Sequence, residues 1–294
     1  MFSNLILMGN IATNINEQIA LLQNRGLIID DVDKAKEILL DIGYYRLGFY
    51  WHHFYNSKKE KFIDNITFKD ISDLYNFDSE LRFLLIQYLT RIEINFRTKV
   101  VYYVSNKHKN SPTWFVNPKV ISHEFISNFD NHYNEDFKKI NVIKNHHKKY
   151  INDKYAPAWK TVEYFTFGTV FKIYDSLNDA DIKERISKCY QMYDVDKFIN
   201  FMKNIIFLRN ICAHGGVLYD LNLGRGFSKT HQISYSSRNT HSLDAACKVI
   251  SFLLESISEN RKNDFENQLN IILKRYFENE KVKSIIQSKT DFSL

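Results

Sequence analysis

The run Phe207-Leu208-Arg209-Asn210-Ile211-Cys212-Ala213-His214-Gly215-Gly216 holds the most suggestive spacing of reactive side chains in this sequence. On a helix, Asn210 and His214 stand four apart and share a face, and Arg209 lies about 100° round from Asn210. Two glycines stop the helix, so His214 falls in its last turn, where the dipole and free carbonyls favour a cation. An imidazole that titrates near neutrality beside a guanidinium suits phosphodiester chemistry. The imidazole can carry protons between a 2′-hydroxyl, the phosphate and a leaving 5′-oxygen, while the guanidinium stabilises charge on a phosphorane. The glycines would leave space for a ligand to approach. On spacing alone, a helix cap with a dipole-paired His is the simpler reading, because Arg and His five apart recur by chance.

Other residues offer weaker chemistry. Arg46 and His52 are six apart within an aromatic block, 44–55, and are read as packing, with a second active site as the alternative. Glu93 and Arg97 are four apart and make an ordinary helix ion pair worth a few tenths of a kcal/mol, or else orient a catalytic pair. The adjacent pairs His52-His53 and His146-His147 should point in different directions on a helix. With no HExxH and no Cys or His at zinc spacings, neither a metal site nor a cofactor is expected. There is no GxSxG and no Gly-rich phosphate loop. Cys212 is expected to pack rather than react. The basic run 138–150, with Lys138, Lys139, Lys144, Lys148 and Lys149, is a solvated helix face on the plain reading. The alternative is a patch that contacts RNA phosphates, with affinity that falls as salt rises.

These residues must be held by helices. Only 9 glycines and 3 prolines occur in 294 residues, about a third of the usual share, which argues against sandwiches, barrels and Gly-loop nucleotide folds. Apolar residues recur at helical spacing over 14–25, 31–42, 67–105, 122–151, 159–178, 181–190, 195–214, 242–258 and 264–278. Thr67 and Asp70 resemble a capping box at the start of the longest of these. Residues 56–65 form a short hairpin or a plain loop. Gly168 interrupts one helix, Pro157 sits in its first turn, and 221–240 should be a mobile surface loop. The expected architecture is an all-α bundle, divided into an N-terminal part, 1–118, and a C-terminal part, 119–294, with one continuous domain around a shared core as the alternative.

The chain carries a net charge of +6, with 44% hydrophobic residues. It is too apolar for general disorder, and its mild basicity permits nucleic-acid binding without requiring it. No run of 18 apolar residues appears, and the first residues lack a basic start and a cleavage site. Three cysteines without a CxxC pair fit a reduced, cytoplasmic protein.

The motif RNxxAH at the end of an apolar helix is similar to the R-x4-H motif of HEPN ribonucleases. The surrounding chain resembles more specifically the Abi family, the AbiD and AbiF abortive-infection proteins of bacteria. Four blocks carry the resemblance in order: Ile42-Gly43-Tyr44-Tyr45-Arg46-Leu47; Phe77-Asp78-Ser79-Glu80-Leu81-Arg82 with Arg91-Ile92-Glu93 and Arg97; Pro157-Ala158-Trp159 with Phe167-Gly168-Thr169; and 208–214. The resemblance implies a HEPN-like C-terminal part with the N-terminal part packed on it, and a role in anti-phage defence. It implies metal-independent RNA cleavage, with Arg209 and His214 as the catalytic pair, Asn210 as its polar companion, and Glu93 and Arg97 in support. The products would be a 2′,3′-cyclic phosphate and a 5′-hydroxyl.

It further implies a structured noncoding RNA that restrains the activity, and a homodimer that sets two copies of the motif across one cleft, the glycines letting the helix ends approach. The sequence departs from its relatives after the His, where it has Gly215-Gly216-Val217 in place of polar or basic residues. The rival reading is a non-catalytic RNA- or protein-binding module. Burial of Arg209 and His214 among apolar neighbours would favour the rival; exposure in a basic cleft would favour catalysis.

Overall fold

The computed structural model describes residues 12–294 except 57, 59, 237 and 238. The expectation that the chain opens without a secretory leader rests largely on residues 1–11, outside those described. Among the described residues the regular structure is helical, with isolated β-bridges in place of strands, so the chain is all-α. The helices are α1 (Ile15–Asn24), α2 (Val32–Ile42), α3 (Tyr44–Trp51), α4 (Phe68–Lys107), α5 (His123–Ser127), α6 (Glu135–Lys138) and α7 (Asn141–Lys149). They continue as α8 (Ala158–Thr161), α9 (Phe167–Asp175), α10 (Ala180–Lys188), α11 (Val195–Ala213), α12 (Leu243–Ile257), α13 (Glu259–Tyr276) and α14 (Glu280–Thr290). None is long and apolar enough to cross a membrane.

The backbone falls into two compact units. One comprises Met1–Arg82, Val217–Asp220 and Leu269–Leu294; the other comprises Phe83–Gly216 and Leu221–Gln268. In the first unit the capping box that opens α4 is real. Asp70 Oδ2 accepts from the Thr67 amide at 2.8 Å, and Thr67 Oγ1 accepts from the Asp70 amide at 3.2 Å, satisfying two otherwise orphaned donors. The 56–65 segment closes as a minimal antiparallel bridge between Tyr55 and Phe62.

In the second unit α12 is buried from Leu243 to Leu254 apart from its half-buried Lys248. A helix apolar nearly all round must lie inside. Phe96 of α4 packs on Tyr174 of α9 and Phe198 of α11, with ring centroids 5.5 and 6.1 Å apart. Buried side chains of this size contribute about 1.5–3 kcal/mol each. They fix α4 against α11, which bear the candidate site.

Several boundaries differ from the periodicity. The stretch 122–151 is not one helix. Asn128 Nδ2 donates to the Glu124 carbonyl, and Asn134 accepts from the Phe137 amide as a new N-cap, so side chains compete with the helical ladder. The freed backbone lets Phe129 stack on Phe115 at 4.8 Å. In 159–178 the break falls before Gly168, because Thr166 is extended and caps α9 through the Thr169 amide. Pro157 is the N-cap of α8, one position outside its first turn. The described residues of 221–240 are mostly irregular but anchored. Leu223 and Phe227 are buried, and Asn200 pins the Gly226 carbonyl and the Ser228 amide.

Burial depresses the pKa of both His132 and His146. The Lys172 charge adds to the shift at His132, and the Asp153 hydrogen bond opposes it without overcoming it at His146. With folded values below the unfolded value of about 6.5, the unfolded chain protonates first as pH falls. Stability is therefore full above about pH 7 and declines toward pH 5. Urea midpoints should be higher at about pH 7.5 than at about pH 5.5; equal midpoints would show that these imidazoles are as basic folded as unfolded.

Candidate functional site

The apolar face of α11 is buried through Phe201, Ile205, Leu208 and Cys212. This leaves Arg209 partly exposed, Asn210 exposed, and His214 exposed at the C-cap. Cys212 is in the core, as expected. Arg209 and His214 both reach solvent, so burial among apolar neighbours, the arrangement that would favour a passive module, is not what the helix presents.

Arg209 is held from behind. Its Nε donates to Glu93 Oε2 at 3.1 Å, and its Nη1 lies 3.4 Å from Asn210 Oδ1. The other oxygen of Glu93, Oε1, accepts from Arg97 Nη2 at 2.8 Å, and the same nitrogen donates to the Phe165 carbonyl at 3.0 Å. Glu93 and Arg97 are one turn apart on α4, and both are buried. One buried carboxylate thus bridges two guanidiniums and restrains the one that faces solvent. Glu93 and Arg97 make the helix ion pair that their spacing gives, and the same carboxylate also reaches Arg209, the orienting alternative that the sequence offered.

Glu93→Gln keeps the shape but halves the acceptor capacity and removes the charge. A loss of about 1–3 kcal/mol is expected, read from the urea midpoint. Unchanged stability would show that Arg97 is satisfied without this carboxylate.

The end of α11 is a complete Schellman motif. The Gly216 amide donates to the Ile211 carbonyl at 2.9 Å, the Gly215 amide to the Cys212 carbonyl at 3.3 Å, and Gly215 has φ +69°. Gly215 supplies the left-handed backbone that closes the cap. A Cβ on Gly216 would sit 2.7 Å from Ile211 Cγ2. The two glycines therefore close the cap, the helix stop expected of them. The carbonyls expected to be free at this terminus are partly taken.

A residue the sequence did not single out is Asp78, fully buried in the first unit. Its Oδ1 accepts from the amides of Leu218 and Tyr219, both at 2.7 Å, and its Oδ2 from Tyr50 Oη at 3.0 Å and Arg82 Nη2 at 2.5 Å. Only its place beside Phe77 in a conspicuous block hinted at it. Arg46, the other candidate guanidinium, lies over the Tyr75 ring at 6.0 Å, as packing would have it.

The basic residues divide between two helices. Lys138 pairs with Glu135 at 2.8 Å and Lys139 with Asp136 at 2.7 Å. Lys144, Lys148 and Lys149 are exposed on α7. Phe137 of α6 packs on Phe165 with ring centroids 5.0 Å apart, and the Phe165 carbonyl is the one that holds Arg97.

His52 and His53 do not diverge as adjacent helical residues should. They lie on a 3-10 turn, with ring centroids 3.8 Å apart.

A family model described as Abi-like protein matches residues 37–220. No curated protein and no solved structure matches significantly.

Proposed function

The chain belongs to the Abi-like family, and from that premise we propose that it is a metal-independent endoribonuclease acting in abortive-infection defence. The observation that carries the reading is the Glu93 bridge. A helix cap needs no arginine held by a buried carboxylate, whereas charge stabilisation needs a guanidinium fixed at one edge and open at the other. His214 stands exposed at the same helix end.

In the proposed reaction His214 removes the proton from a ribose 2′-hydroxyl. The 2′-oxygen attacks the adjacent phosphorus, and Arg209 stabilises the charge on the phosphorane. The 5′-oxygen leaves with a proton, and a 2′,3′-cyclic phosphate remains. Asn210 steadies the guanidinium. One motif offers one imidazole, while attack and departure ask for a base and an acid. A two-fold homodimer supplies both by setting the same patch of each copy against the other. The exposed Lys144, Lys148 and Lys149 suit contact with phosphates, of the substrate or of a structured noncoding RNA that restrains the enzyme.

The test is incubation of purified protein with RNA and analysis of the product ends. Cyclic phosphate and 5′-hydroxyl ends are expected, with cleavage undiminished in EDTA. Ends bearing 5′-phosphate, or a strict need for Mg²⁺, would assign a different nuclease chemistry. RNA binding with no cleavage would leave the non-catalytic module.

A further inference from the structure

We infer that His52, His53 and Asp220 form a binding site for one divalent transition-metal ion, with zinc the best fit. All three belong to the first unit, whereas Arg209 and His214 belong to the second, so the inference is independent of the proposed cleavage chemistry.

The donors converge on one point. Asp220 Oδ2 lies 3.3 Å from His53 Nε2 and 3.8 Å from His52 Nε2. The donor atoms of the three residues lie within 4.8 Å of one another. Zinc bound to imidazole nitrogen and carboxylate oxygen at about 2.0–2.2 Å, in a tetrahedron, sets its ligands roughly 3.4 Å apart. The two distances from Asp220 bracket that edge. An octahedral ion would ask for about 3 Å and more ligands, and calcium or magnesium would ask for oxygens. A hydrogen-bonded His–Asp pair explains one imidazole here but not the approach of both Nε2 atoms to the same oxygen.

The frame is built before any ion arrives. His53 is largely buried, with its ring edge-on to Tyr219 at 5.5 Å. Tyr219 is anchored at its amide by Asp78 and at its hydroxyl by the Phe49 carbonyl, 2.7 Å away. Asp220, the next residue, is therefore delivered to a fixed position. Lys289 Nζ holds Asp220 Oδ1 at 2.9 Å, which orients the carboxylate and leaves Oδ2 as the donor, the task of an outer-shell partner. His52 and Asp220 are more than a third exposed. The fourth coordination position faces solvent, where water would complete the tetrahedron.

Titration of the full chain with Co²⁺, a spectroscopic substitute for zinc, tests the site. One equivalent should give the visible absorption of tetrahedral cobalt, and Zn²⁺ should bleach it. His52→Ala and Asp220→Ala should each weaken binding by at least about 100-fold, since outer-shell losses alone reach 10–100-fold. Circular dichroism reports whether each variant is folded. His52 is half exposed, so His52→Ala carries the result should Asp220→Ala fail to fold. Absence of the tetrahedral band in the wild type, or a band of equal strength in His52→Ala, would overturn the assignment.

Discussion

His214→Ala should cleave RNA about 10²–10⁴-fold more slowly than the wild type, the usual worth of a positioned proton carrier. The variant should stay folded. His214 is exposed, and its backbone hydrogen bond to the Asn210 carbonyl is one alanine makes equally well. A matching urea midpoint beside the lost rate separates chemistry from stability. Arg209→Ala should lose activity too, with a small stability cost added because Glu93 would lose one of its two partners. Mixing the two inactive chains tests the composite cleft. A mixed dimer retains one imidazole and one guanidinium, so part of the activity should return. Wild-type rates in His214→Ala would remove the imidazole from the mechanism. Full activity in a wild-type monomer, shown by light scattering at micromolar concentration, would leave a single-chain route.

Asp78→Ala should cost about 3–5 kcal/mol, the penalty of breaking a buried ion pair by removing one partner. The substitution takes one shared acceptor from Arg82, the Tyr50 hydroxyl and two backbone amides, all of which now meet on a single carboxylate. Unsatisfied buried donors each add to that cost. Asp78→Asn should fall between, since an amide oxygen still accepts from the backbone but does not balance Arg82. Urea melts at fixed pH measure both. A loss under about 1 kcal/mol for the alanine variant would mean that water replaces the carboxylate, which requires the pocket to open.

The sequence carries the helical class plainly. Scarce glycine and proline, periodic apolar residues and the Thr67–Asp70 cap all point the same way, and α1, α2, α4, α10, α11 and α12 fall within a few residues of their expected limits. It does not carry the breaks in 122–151. There the aromatic spacing is itself helical, and the interruptions come from asparagine side chains and from rings that pack only once the tertiary structure exists. Helix α14 escapes notice because its buried face is little more than Val282 and Ile286.

The candidate site divides similarly. Arg209 and His214 are visible as a spacing on one helix. That Glu93 belongs to Arg209 is not, because the residues are 116 apart and only the packing of α4 on α11 joins them. The cap is legible: Gly215 and Gly216 read as the helix stop, and the backbone there closes as one. The convergence of His52 with His53 depends on a 3-10 turn and on ring rotamers, neither of which periodicity encodes.

The first unit is stitched from three separated stretches, and this bears on how the protein is made. Asp78 leaves the ribosome long before two of its four partners. Its carboxylate waits through about 140 residues for the amides of Leu218 and Tyr219, and Glu80 waits through 195 for Arg275. At roughly 5–20 residues per second, synthesis of the intervening chain takes on the order of ten to forty seconds. Throughout that time the early helices lack the pieces that close their core. Translation stalled or cut short before residues 269–294 therefore yields a product that cannot complete its first unit. Contacts this distant in sequence also make for slow refolding.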